Sequence, residues 1–531
     1  MRGNRNTFIT ILGFLGLAAF FAAGTGRVHL FDWDEINFAE SAREMLLTRD
    51  FFHVQIDFSS FHEKPPLFFW MQALSMKIFG VGELAARFPN AICGALSVLL
   101  AFVYGRRLKS AELGWAWATV LMGTFLPHLY FKTGIIDPWF NLLIFASILG
   151  LFEVTQRVQV QRSAARAAAI AGGLAGLAVL AKGPVALGLI GATGIVFFAV
   201  ERMDRMPGRK LASLFLALLV FSLIALGIGF SWYLLIAREQ GGGLFGQFLS
   251  YQVRLLQTGD AGHGQPWYYH PLVLLFGCFP ASAFLFESRP AGSKADPVRA
   301  FDRLMVILTW VVILIFSLVK TKIVHYSSLA WLPITFLAAH RILGVLEVGR
   351  VFRRARILVF ILALPLGVAA IGLPLLGPGA ARIEGWLNDP FVLACFRGAN
   401  PWQGWESGVG LLWFAAVYWI GWRALRVGWC RIKVLSLFAA TALFSSAVFW
   451  VLLPKLEQYT QGPYIQFLVE HRGVRIDVEG FKSYAHLFYG QRNPQLKAAA
   501  PRYIVSRVTH PVPPREGEVI IPLGGYQAVG R

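Results

Sequence analysis

The chain has 531 residues, 56% of them hydrophobic and only 15% charged, where a soluble protein carries roughly 25% charged residues. Apolar stretches long enough to span a bilayer recur along it, which excludes a soluble globular protein and also an outer-membrane barrel, whose strands are short and alternate in polarity. The formal net charge of +20 is spread among short loops between apolar segments rather than gathered in one patch, so it reads as positive-inside topology and not as a nucleic-acid surface.

The first apolar span, near 8–25, follows Arg2 and Arg5 and has no A-x-A cleavage site after it. It is expected to stay as a membrane helix rather than to leave as a signal peptide. A long loop, about 26–87, comes next and opens with Asp32-Trp33-Asp34-Glu35. These acids precede a stretch in which Phe38, Ala42, Met45 and Leu46 share one helical face, expected to lie along the membrane surface. Acids suit a helix N-terminus, but a carboxylate at a membrane-edge cleft can also act as a base or hold a cation. Further along the loop, His62-Glu63-Lys64-Pro65-Pro66 offers a compact cation to a phosphate in Lys64, and the prolines start a new helix.

Further spans are expected near 88–105, 112–130, 138–154, 165–181, 185–200, 211–236, 270–287, 303–319, 328–345, 356–376, 408–424 and 433–453, about thirteen in all. Asp137 is a lone acid at the outward end of the third span, costly beside lipid unless paired, hydrated or capping the helix that Pro138 begins. Only Lys182-Gly183-Pro184 separates the fifth and sixth spans, which predicts a tight hairpin or a re-entrant pair. The loop from Arg238 to His270 holds Tyr251, Arg254, His263 and Tyr268. Its aromatics suit an interface belt or a platform for sugar and lipid, and Arg254 is a good phosphate fork. Lys320 and Lys322, just before His325-Tyr326, set two cations against the charge trend at another outward helix end and so fit an anionic ligand.

The tail, 455–531, is less apolar. Its β-like runs Tyr503–Val505 and Glu518–Ile521 and a helix-like stretch around Phe481–Tyr489 predict a small α/β domain after a membrane domain of 1–454. About half of the 49 basic residues fall in alternate loops. This puts the N-terminus inside and, with an odd span count, the tail outside, on the face that carries every polar cluster named above. Cys93, Cys278, Cys395 and Cys430 form no CxxC pair and read as small buried hydrophobes. No histidine pair has HExxH spacing, so no cofactor is required and a divalent metal is not expected.

As an ordered set, Asp34-Glu35, Ala39-Glu40, Ala42-Arg43-Glu44-Met45, Glu63-Lys64-Pro65-Pro66, Gly80-Val81, Ala86-Arg87-Phe88-Pro89, Ala181-Lys182-Gly183-Pro184, Trp232-Tyr233, His263 to Tyr269, Lys320-Thr321-Lys322 and His325-Tyr326 resemble bacterial GT-C glycosyltransferases. The likeness is to the lipid A aminoarabinose transferases and, more distantly, to the protein O-mannosyltransferases (glycosyltransferase families 39 and 83). It covers roughly residues 1–345, and Phe481-Lys482-Ser483-Tyr484 recurs in the tails of such proteins. The resemblance implies a GT-C-like helical membrane fold with a periplasmic C-terminal domain in the bacterial inner membrane. It implies a sugar donor on a polyprenyl-phosphate carrier, and lipid A or another envelope glycan as acceptor. It maps the family's key acid onto Asp34, the second acid onto Glu35, the Glu-Lys pair onto Glu63 and Lys64, and the loop arginine onto Arg254.

Together with the outward clusters this gives Asp34, Glu35 and Asp137 as candidate catalytic residues and Lys64, Arg254, Lys320 and Lys322 as candidate phosphate ligands. Glu63, Tyr251, His263, Tyr268 and His325 are the candidate substrate contacts. Membrane lipids are the other expected partners, and a monomer is expected. Asn37-Phe38 stands where the aminoarabinose transferases commonly have Arg-Tyr, which removes a cation near the acid pair and leaves the sugar and acceptor open. A transporter of lipid-linked anions would predict inverted repeats, and a non-catalytic assembly protein would not call for the charged first loop. The sequence shows no repeat.

Overall fold

The computed structural model describes residues 2–61, 63–240, 264–288, 297–349, 352–376, 389–398 and 400–531. Ten helices among them are long and apolar enough to cross a membrane, and the chain is a multi-pass membrane protein. In chain order the first eleven helices are α1 (Arg2–Ala22), α2 (Asp34–Thr48), α3 (Leu67–Phe79), α4 (Glu83–Leu108), α5 (Ala111–Met122), α6 (Phe125–Tyr130), α7 (Asp137–Gln159), α8 (Ala165–Lys182), α9 (Val185–Val200), α10 (Gly208–Gly229) and α11 (Ser231–Gln240). The long helices after them are Pro297–Leu318, Trp331–Glu347, Ala355–Leu376, Ser407–Val427 and Arg431–Ala447.

Each expected apolar segment falls on helix, but several are not one long rod, 211–236 among them, which is divided at Phe230 between α10 and α11. The segment 112–130 is split between α5 and α6. There Gly123 lies so close to Phe438 that a Cβ would stand 2.5 Å from its carbonyl oxygen. The segment 270–287 is two short helices, Tyr269–Gly277 and Ala281–Phe284, divided at Pro280, which has no N–H to continue the ladder. The sixth span is the 16-residue α9. It follows α8 through Gly183, whose φ of 102° is open to glycine.

Small residues let these helices approach closely. A Cβ on Gly172 would stand 2.5 Å from the Phe221 carbonyl, and one on Gly176 would stand 2.7 Å from Ile228 Cβ, so α8 lies against α10 almost backbone to backbone. On its other side the Ala171 methyl stands 2.8 Å from where Gly150 of α7 would carry a Cβ. This packing fixes the end of α8 beside the start of α7. Cys93, Cys278 and Cys395 are buried free thiols, as expected, whereas Cys430 is exposed.

The tail forms a four-stranded sheet of β3 (Ile476–Glu479), β4 (Tyr503–Arg507), β5 (Ile520–Leu523) and β6 (Tyr526–Gly530) in the order β3-β4-β6-β5; the first loop has its own hairpin of β1 (Gln55–Ile56) and β2 (Ser59–Ser60). β3 and β4 are parallel and the other tail pairs antiparallel. The helix-like stretch around Phe481–Tyr489 contracts to Ala485–Phe488.

The tail sits on α2, and this corrects the expectation that α2 lies on the membrane surface. Every residue from Glu35 to Met45 is buried. The polar face that would have met water meets protein: Arg43 donates to both Glu40 oxygens at 2.7 Å and to the Arg492 carbonyl at 2.7 Å. Arg492 in turn bonds Asp477 and the Ile476 carbonyl. The Tyr489 hydroxyl accepts from Leu30 N and donates to Glu83. Gln461 donates to the Leu30 carbonyl at 2.8 Å.

Below this docked layer, Arg87 of α4 uses all five of its N–H groups. It donates to both oxygens of Glu35, at 2.9 and 2.6 Å, and to the carbonyls of Thr25, Val28 and His29. Neither side chain is appreciably exposed. Lys132 closes the same corner by donating to the Phe20, Phe21 and Ala23 carbonyls at the end of α1, where a cation complements the helix terminus.

Two outcomes follow. Arg87→Ala leaves a buried carboxylate and three carbonyls without their donor, so unfolding in detergent should show a loss of roughly 3–5 kcal/mol; a loss below about 1 kcal/mol would show that water replaces the guanidinium. Burial and the adjacent Glu40 push Glu44 up to about 8, against the pull of the Phe58 and Asp57 N–H groups that donate to it. A carboxyl raised on folding stabilises the fold in its protonated form, so its contribution is full below the ordinary carboxyl value and is lost as pH rises towards about 8. Glu44→Gln should flatten the fall in Tm between about pH 5 and pH 8, and an unchanged slope would place that titration elsewhere.

Candidate functional site

The loop Thr133–Ile136 between α6 and α7 is pinned from three sides. Asn90 donates to the Thr133 and Ile135 carbonyls, both at 2.7 Å. Gln72 donates to the Gly134 carbonyl, and Gly134 N donates to Glu35 Oε1 at 2.5 Å. The residue delivered by this loop is Asp137, first in α7 and followed by Pro138. Its carboxylate is almost wholly enclosed, with Lys182 Nζ donating to Oδ1 at 2.6 Å.

His325 stands between two acids, its Nε2 3.6 Å from Asp34 Oδ2 and 4.0 Å from Asp137 Oδ2. It belongs to a 3-10 turn, Val324–Ala330, in which Ser328 Oγ donates to the His325 carbonyl and itself accepts from Asn141 at 2.7 Å. Lys182 also lies 5.4 Å from the Tyr326 ring centre. Lys64, bonded to Glu63 at 2.9 Å, is within electrostatic reach of both Asp137 and His325. The Asp34 side chain is the open member, 35% exposed, against 6% for Asp137.

Asp34, Asp137, His325 and the Glu63-Lys64 pair are therefore brought to one place. Glu35 is not part of that opening. Burial would raise its pKa, but Arg87 and the N–H groups of Phe31 and Gly134 hold it below the ordinary carboxyl value. A carboxylate so fully bonded positions its neighbour rather than taking a proton. Lys322 is buried and donates to the Val319 carbonyl at 2.6 Å, so its ammonium is engaged by the chain itself, and Lys320 is exposed. Tyr268 is exposed beside Trp267. Tyr251, Arg254 and His263 lie outside the described residues. Among those described, no group of three His, Cys, Asp or Glu side chains is arranged to hold a metal ion.

Lys182 is the residue that the candidate set lacked. The signal was there: an acid at a membrane edge needs a partner, and Lys182 is the sole charge between two apolar spans. The arrangement as a whole presents one open carboxylate beside a histidine, with two lysines close behind. It suits a ligand that carries an anion and reacts next to it.

The family model for Dolichyl-phosphate-mannose-protein mannosyltransferase matches residues 63–226. An undecaprenyl phosphate-alpha-4-amino-4-deoxy-L-arabinose arabinosyl transferase of Pectobacterium carotovorum is 27% identical over 69% of this chain and 65% of its own length. The chain thus spans just under two thirds of that relative. An uncharacterized protein of Aquifex aeolicus is 31% identical over 58% of this chain and 67% of its own. The crystal structure of ArnT from Cupriavidus metallidurans bound to undecaprenyl phosphate superposes with a TM-score of 0.72 at 16% identity, covering 98% of this chain and 97% of that one. The shared fold and these relatives place the chain in the GT-C glycosyltransferase family, among the proteins that resemble the aminoarabinose transferases.

Proposed function

We propose that this protein transfers a sugar, aminoarabinose or a relative of it, from undecaprenyl phosphate to an envelope glycan, lipid A foremost, at the outer face of the cytoplasmic membrane. The observation that carries the reading is the meeting of Asp34, His325, Asp137 and Lys182 at the helix ends, with Asp34 alone open. The names of the relatives supply the substrate class.

In this reading Lys64 and Lys182 stabilise the polyprenyl phosphate as negative charge develops on it. Asp34 faces the sugar carbon as positive charge develops there, and it orients the acceptor. An acceptor hydroxyl needs a base, which Asp34 with His325 supplies; an acceptor phosphate is already an anionic nucleophile. Asp137, held by Lys182, keeps the lysine and the histidine in place.

Mass spectrometry of lipid A and envelope glycans, with and without the gene, tests the assignment directly. Loss of one sugar from lipid A is the expected result, and unchanged glycans would overturn it. With purified protein in nanodiscs, Asp34→Asn should lower transfer by roughly 10²–10⁴-fold while donor binding and Tm hold; near-normal turnover would remove Asp34 from the reaction. The proposed orientation puts the N-terminus in the cytoplasm and the tail outside. Reporter fusions at Arg5 and Arg531 should give opposite signals, and matching signals would reverse the model of access.

A further inference from the structure

The tail meets the residues just before Asp34 through Gln461, Lys482 and Tyr484. Trp33 precedes Asp34 at the start of α2 and is half-buried. The Tyr484 ring lies 4.6 Å from it at 33°, and Lys482 Nζ stands 4.1 Å from the indole centre. Ser483 between them is buried, its Oγ accepting from Ala485 N. That bond anchors the backbone that presents Lys482 and Tyr484. Tyr484 is within electrostatic reach of Glu63. The two aromatic rings therefore lie beside the start of α2, next to Asp34.

Lys482 is exposed and forms no salt bridge among the described residues. An indole attracts an ammonium to its face, which orients Lys482 over the platform while leaving its N–H groups able to meet an anion. Flat aromatic faces bind the C–H face of a sugar ring, and an ammonium binds a phosphate as a point charge. In the transferase reading the donor's phosphate meets Lys64 and Lys182. The platform lies on the side of the tail domain.

We infer that Trp33, Lys482 and Tyr484 form the acceptor subsite, which takes a carbohydrate carrying a phosphate group. This rests on the transferase reading above and extends it: the tail domain selects the acceptor, and Asp34 stands between the two substrates.

The experiment measures sugar transfer in nanodiscs to lipid A carrying or lacking its phosphate groups. Lys482→Ala should raise the KM for phosphorylated lipid A by roughly 10-fold or more, the size of a lost hydrogen bond to a charged group, and Lys482→Arg should restore most of it. Trp33→Ala should raise the same KM. Donor binding and Tm should not move, and Lys482→Ala should lose the wild-type preference for the phosphorylated acceptor. Wild-type protein that transfers sugar normally while Lys482→Ala keeps its KM and its preference would overturn this inference alone. The same holds if the acceptor is a protein hydroxyl whose KM ignores Lys482. Wild-type protein that transfers sugar to nothing would sink the transferase reading and the inference with it.

Discussion

Arg87 and Glu35 tie together four parts of the chain that sequence separates. The guanidinium belongs to α4, the carboxylate to α2, the three accepting carbonyls to the connection after α1, and the N–H that completes Glu35 to Gly134 before α7. Each buried charge is tolerable only because the other is fully bonded. The consequence for the site is geometric. Asp34 is the neighbour of Glu35, and Asp137 lies three residues beyond Gly134, so one ion pair sets where both open and enclosed acids stand. His325 then arrives from a distant helix end to meet the two of them.

The membrane helices contribute the second half of that arrangement. Small residues bring α8 against α7 and α10 closely enough for Lys182, its last residue, to reach Asp137. An acid at that depth without a cation would carry a large desolvation cost. With Lys182 on one side and His325 on the other, it becomes a fixed negative charge that holds both in register. Packing far down the helices thus determines the electrostatics at their ends.

Much of this was legible in the sequence, for identifiable reasons. Apolar segments of bilayer length announce helices without any tertiary information, and the alternation of basic loops gathered Asp34, Lys64, Asp137 and His325 on one face. What was not legible depended on partners far along the chain. The amphipathic pattern of α2 fits a membrane surface and a buried interface equally well, and only Arg492, 449 residues from Arg43, decides between them. Glu35 looked as reactive as Asp34 because local sequence does not reveal Arg87, 52 residues on. Hydropathy averages across Gly123-Thr124 and Pro280, so it joins helices that the backbone divides. β3 and β6 interrupt their apolar residues with Asp477, Glu479, Gln527 and Gly530, so they do not stand out until they pair with β4.

Environment also divides the roles of two chemically identical groups. Asp34 and Asp137 both face His325, yet only Asp137 has a lysine bonded to it, and only Asp34 has an opening to the outside. Asp137 is too enclosed to meet a newly forming positive charge, its side chain 6% exposed against 35% for Asp34. An open carboxylate keeps its field for whatever enters. The same reasoning explains why the tail domain matters to chemistry that its residues do not perform. By covering the polar face of α2 it removes Glu40, Arg43 and Glu44 from competition for an incoming ligand. Asp34 is left as the acid at the start of that helix that still faces the opening.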